Sequence, residues 1–283
     1  MTEVSYFPSH SPQHSLLPAE SFFPILQNKH LIFLGDSLTR YQYLNLLYLL
    51  TERNYLNNYV EPNVVNEHSY SNWTQFYLST NSLFAPYEYC DCYRNPDVHD
   101  ERYEFENRYY FNPVLNLSIT YVMFTGRYDN IKGHWYDVGD YNQFRQPSTQ
   151  YYKEFWSGFL IEKLDWLNTL SPFKYSVVVL NAGYHPHHFN NENFVLKLLG
   201  KMKSTFTQVI WKTTTYNSAH ELPAQHDTFI CNLPSEYISS CLNLSITQYF
   251  NESMYWDDKH FYADAYNIFN SMLVKLIESL DSK

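Results

Sequence analysis

The sequence predicts an α/β domain built on a mostly parallel sheet, and three observations carry that expectation. Short apolar runs alternate with longer segments of helical spacing. Three of those runs end in small-residue turns, Gly35-Asp36-Ser37, Thr125-Gly126-Arg127 and Asn181-Ala182-Gly183. The chain, at 283 residues, is long enough for one large domain of this class. Strands that alternate with helices imply right-handed crossovers and parallel neighbours, so a binding crevice is expected at the C-terminal strand ends.

The elements follow in order. Residues 1–29, rich in Pro, Ser and His, read as an N-terminal linker or stem, which leaves the domain to residues 30–283. Leu31 to Leu34, between polar residues and Gly35, reads as a strand buried on both faces. From Leu38 onward, Tyr41, Leu44, Asn45, Tyr48 and Leu49 recur on one helical face. Residues 58–79 read as a strand and a mixed region, and an aromatic insertion from Phe84 to Asn112 holds Cys90 and Cys92. Ile119 to Phe124 is a strand ending at Gly126. Phe155, Phe159, Glu162, Lys163 and Trp166 have the spacing of a helix closed by Ser171-Pro172. Val177 to Leu180 is the clearest buried strand; a helix over Glu192 to Lys203 and a strand within 206–216 come next. After an irregular stretch with Cys231 and Cys241, the last helix carries Tyr266, Phe269, Leu273 and Leu276 on one face.

Composition narrows the function classes. A net charge of −10 argues against nucleic acid and anionic membrane surfaces as partners. No apolar run has the length of a membrane span, and residues 1–20 lack the basic start and apolar core of a signal peptide. The 28 Tyr and 20 Phe suit hydroxyl-rich ligands, because an aromatic ring packs on a sugar's apolar face while a Tyr hydroxyl makes hydrogen bonds. Four cysteines permit two disulfides. Neighbours in a C-x-C do not easily bond each other, so Cys90 and Cys92 are expected to pair with Cys231 and Cys241, or else Cys231 with Cys241 locally. Such pairing favours the secretory lumen or the extracellular space, with the cytoplasm as the alternative.

Ser37 sits where a strand gives way to a helix. There Asp36 or Ser37 can cap the helix, and a serine so placed presents its hydroxyl to the crevice, next to the positive end of the helix dipole. A nucleophilic serine needs a base and a group that orients the base. Asp257 and His260, three apart just before the last helix, supply that pair. Arg40, one turn beyond Ser37, is expected to face the crevice and steady the oxyanion or hold the loop that does.

Gly35-Asp36-Ser37-Leu38 with Arg40, together with Asp257-x-x-His260, resembles the SGNH/GDSL hydrolase superfamily. The closer similarity is to its PC-esterase branch, which includes trichome-birefringence-like polysaccharide O-acetyltransferases. The resemblance implies a flavodoxin-like, three-layer α/β/α sandwich and acyl transfer through an acyl-serine. It also implies oxyanion or substrate roles for Gly126, for Asn181 and for Gly183, the last two standing as N-x-G where the superfamily usually has G-x-N. His185, directly after that turn, is expected to line the acceptor side. A metal site at His185, His187 and His188 lacks acidic or cysteine partners at matching spacing, so no metal and no cofactor are expected.

Two readings follow. One is serine-dependent chemistry on an O-acyl group of a carbohydrate or other acylated small molecule, through acyl-Ser37, by a monomer. The other is a non-catalytic carbohydrate-binding protein that keeps the fold.

Overall fold

The computed structural model describes residues 16–57, 64–94, 104–126, 130–133, 156–170, 174–185, 187–222 and 226–282. Among these described residues, seven strands form the central sheet in the order β2-β3-β4-β1-β7-β8-β9. Its parallel part comprises β4 (Leu117–Met123), β1 (His30–Gly35), β7 (Ser176–Leu180), β8 (Gln208–Lys212) and β9 (Ser240–Leu242). On the β4 side, β3 (Phe105–Asn112) and β2 (Glu88–Tyr93) continue it antiparallel. A separate pair joins β5 (Asn130–Gly133) to β6 (Trp156–Phe159).

The strand residues divide between two cores because successive side chains leave a strand on opposite faces. Leu31, Phe33, Val177 and Val179 pack on one side with α2 (Ser37–Glu52) and α7 (Ala263–Asp281), and with α3 (Trp73–Leu83) and α1 (Phe22–Leu26). Ile32, Leu34, Val178 and Leu180 pack on the other with α4 (Leu160–Thr169) and α5 (Glu192–Thr205). The architecture is therefore a three-layer α/β/α sandwich on a mostly parallel sheet.

Several elements depart from the sequence reading. Phe22 and Leu26 of α1 are fully buried in the core, so the folded body begins before residue 30. The strand expected near residue 60 lies partly outside the described residues, and Trp73–Leu83 is a helix rather than mixed structure. The aromatic insertion supplies the antiparallel strands β2 and β3. Residues 156–159 are strand, so the helix read from Phe155 starts only at Leu160 and buries Leu160, Leu164 and Leu167 instead of Phe159. α2 is buried on every side from Leu38 to Leu50, since sheet and helices enclose it, and no single apolar face exists. A short helix, α6 (His226–Cys231), and β9 occupy the stretch read as irregular.

The cysteines pair as Cys90–Cys92 and Cys231–Cys241. The local bond of the second pair is the alternative expected; a bond within the C-x-C was not. Residues i and i+2 of β2 share a face, and the Cys90 and Cys92 Cα atoms stand 5.3 Å apart, inside the span a disulfide bridges. Among the described residues no helix is long and apolar enough to cross a membrane.

Candidate active site

β1 ends at Gly35, and α2 begins two residues later. Glycine is required there because a β-carbon at 35 would overlap the Thr39 hydroxyl. Asp36 is the N-cap: its Oδ1 accepts from the Leu38 N–H at 3.1 Å and its Oδ2 from the Tyr184 N–H at 3.4 Å. The cap thus falls to Asp36, and Ser37, the first helical residue, keeps its hydroxyl for another partner. That partner is His260, whose Nε2 lies 2.7 Å from Ser37 Oγ across 223 residues of sequence. The Ser37 N–H belongs to the first turn of a 16-residue helix, where N–H groups have no acceptor within the helix and the dipole is positive.

His260 is built by the turn before α7. Asp257 Oδ1 accepts from the N–H groups of Lys259 and His260 at 2.7 and 2.6 Å, closing the turn, while Oδ2 lies 2.8 Å from His260 Nδ1. Trp256 stacks on the imidazole at 4.8 Å and Tyr41 meets it edge-on at 5.6 Å, which fixes the ring plane. Partial burial opposes ionisation of Asp257, but the hydrogen bonds from His260 and Lys259 outweigh it and hold its carboxyl below the usual carboxylate range. An ionised Asp257 only accepts, which puts the ring proton on Nδ1 and leaves Nε2 to accept from the Ser37 hydroxyl. Hydroxyl, imidazole and carboxylate then stand in the order by which a proton can leave a serine.

Ser37 and His260 open onto a cleft of about 310 Å³. Arg40, Trp73, Glu106, Met123, Thr125 and His185 are among its lining residues. Arg40 is buried and bound by Glu106 at 3.3 Å, Glu67 at 3.2 Å and the Tyr41 hydroxyl at 2.8 Å, with its guanidinium 5.1 Å from the Trp73 ring centre. Burial works against its charge, yet Glu106 and Glu67 raise its pKa above the ordinary arginine value. Glu106 in turn accepts from Arg108 Nε at 2.6 Å, and Arg108 donates to Glu88 at 3.0 Å. Arg40 therefore ties α2 to Glu67 and to Glu106 of β3 through a buried charge network.

The remaining expected residues divide. His185 lines the cleft. Gly126, Asn181 and Gly183 are not among its lining residues. Asn181 is buried, and its amide donates to the Lys212 carbonyl at 2.8 Å. Gly183, at φ +54°, lies so close to the Asp36 carboxylate that any β-carbon would overlap it. Gly126, at φ +71°, passes the His185 carbonyl where a β-carbon would come within 2.8 Å. The side chains of His187 and His188 lie outside the described residues. Sequence reasoning missed Glu67, Glu106, Trp73 and Lys212. For the two glutamates a signal existed: a buried arginine requires carboxylates. No protein-family model matches the chain, and no curated protein matches it.

Proposed function

We propose that this protein performs serine-dependent acyl-ester chemistry, hydrolysing or transferring an O-acyl group, foremost O-acetyl, on a carbohydrate. The observation that carries the reading is the contiguous pair of hydrogen bonds, Ser37 Oγ to His260 Nε2 at 2.7 Å and His260 Nδ1 to Asp257 Oδ2 at 2.8 Å. The G-D-S-x-x-R and D-x-x-H motifs, similar to those of PC-esterases in the SGNH superfamily, support it as well.

In the first half-reaction Ser37 Oγ attacks the ester carbonyl carbon and its proton passes to His260 Nε2. Negative charge develops on the carbonyl oxygen, and the Ser37 N–H with the positive end of α2 is placed to stabilise it. The tetrahedral intermediate collapses, the C–O bond to the alcohol breaks, and the leaving alkoxide takes the proton from His260. Water or a second hydroxyl then loses a proton to His260 and attacks the acyl-serine, the acyl C–O bond to Ser37 breaks, and Ser37 Oγ takes the proton back from His260. Asp257 remains ionised throughout and stabilises the imidazolium. Trp73, half-buried among the cleft's lining residues, offers aromatic surface to a sugar ring.

Incubation of the protein with a chromogenic acetyl ester, rapid acid quench and peptide mass spectrometry should find an acetyl group on Ser37. An unmodified Ser37 with no turnover, alongside measurable glycan binding, would return the chain to the carbohydrate-binding class.

A further inference from the structure

Strand alternation turns Lys212, the last residue of β8, toward the layer that holds α2, while its neighbour Trp211 enters the opposite core. Lys212 is buried, at 2% exposure, at the C-terminal end of β8 between β7 and β9. A charge there is costly to bury, and the nearby N-terminus of α2 is already the positive end of a helix dipole. Neither local structure nor packing calls for lysine at this place.

Its surroundings are specific. Nζ donates to Thr39 Oγ1 at 2.8 Å, and Thr39 is the third residue of α2, lying against the bare Cα of Gly35. The backbone carbonyl of Lys212 accepts from Asn181 at the end of β7. Asp36, the cap beside Ser37, is the charged group that faces the ammonium among the described residues, and it opposes part of the loss of charge. The ends of β1, β7 and β8 are thereby joined beneath the turn that carries Ser37.

We propose that Lys212 is a positioning residue for acyl transfer, acting through Thr39 and Asp36 to fix the Ser37 turn and to keep positive charge beneath the forming oxyanion. The proposal rests on the acyl-serine reading. Burial lowers the Lys212 pKa to about 8, against the pull of Asp36, so the ammonium loses its proton within a measurable range. Tyr184, whose N–H also meets Asp36, is pushed up to about 12 by burial and does not titrate there.

The test is the pH dependence of kcat and KM for a chromogenic acetyl ester, with the full chain, in the wild type, Lys212→Met and Thr39→Val. In the wild type kcat should fall as pH rises through about 8. Lys212→Met should lower kcat at neutral pH about tenfold or more with KM little changed, and its profile should lack the alkaline fall. Thr39→Val removes a hydrogen bond to the charged form, so the fall should persist but move to lower pH. If Lys212→Met does not fold, the displacement in Thr39→Val decides. A folded Lys212→Met enzyme with wild-type kcat and the same alkaline fall overturns the proposal, as does an unmoved fall in Thr39→Val. Acetyl-Ser37 in the wild type shows which idea has failed: with the adduct present, such results sink the role of Lys212 alone, and without it the acyl reading falls and this role with it.

Discussion

Gly183 and Asp36 touch across the β1–β7 boundary: the Cα of Gly183 occupies the space beside the Asp36 carboxylate where any side chain would overlap it. One contact thus ties the turn after β7 to the cap of the helix that begins at Ser37. Gly183→Ala meets two penalties, the overlap and a φ of +54° that disfavours a side chain. The backbone part alone is worth on the order of 1–3 kcal/mol. Thermal unfolding should show the loss, and ester turnover should fall by more than stability does, because Asp36 must move. A variant with wild-type turnover would mean that the Ser37 turn does not depend on this contact.

Ser37→Ala and Asp36→Ala should separate chemistry from capping. Asp36 makes the cap, so Ser37→Ala should abolish turnover while the melting temperature stays within a few degrees. Asp36→Ala removes a cap worth about 0.5–2 kcal/mol and should lower the melting temperature measurably. Turnover retained by Ser37→Ala would remove the acyl-serine mechanism.

Asp257 and Asp258 are adjacent, but only the first reaches His260. Asp258 is exposed and lies 3.7 Å from Lys259. Asp257→Asn should cut the rate by orders of magnitude, through loss of ring orientation and charge stabilisation, and Asp258→Asn should be nearly silent. The lowered Asp257 pKa sets the acid limit: the stabilisation from its hydrogen bonds is complete above the ordinary carboxylate value and disappears as pH falls through the lowered one. Steady-state rates of the two variants, measured side by side, check the assignment, and the reverse order of effects would move the orienting role to Asp258.

His30 opens β1 inside the core, with Nε2 3.0 Å from Thr120 Oγ1, and burial lowers its pKa to about 3. The unfolded chain takes up this proton near pH 6.5, well before the fold does, so between those values it binds more protons than the fold does. Stability should therefore fall with acidification below about pH 6.5, by up to about 1.4 kcal/mol per pH unit from this residue. Urea unfolding at several pH values would measure the slope, and His30→Gln should make it shallower. An equal slope in both proteins would place the acid sensitivity in other groups.

Much of this was local information and could be read from the chain. Leu31 to Leu34 and Val177 to Leu180 announce buried strands because both faces must be apolar, and Gly35-Asp36-Ser37 announces a strand-to-helix turn because few residues tolerate it. The spacing of Asp257 and His260 likewise let one turn hold both groups. Other features depended on which distant segments meet. Packing of α2 under α7 brings His260 to Ser37 over 223 residues, and strand register decides that the Asn181 amide meets Lys212. The Arg40 carboxylates come from residues 27 and 66 positions away. Periodicity and turn chemistry act over a few residues and leave their mark in the sequence, whereas the pairing of buried charges depends on where strands and helices finally lie.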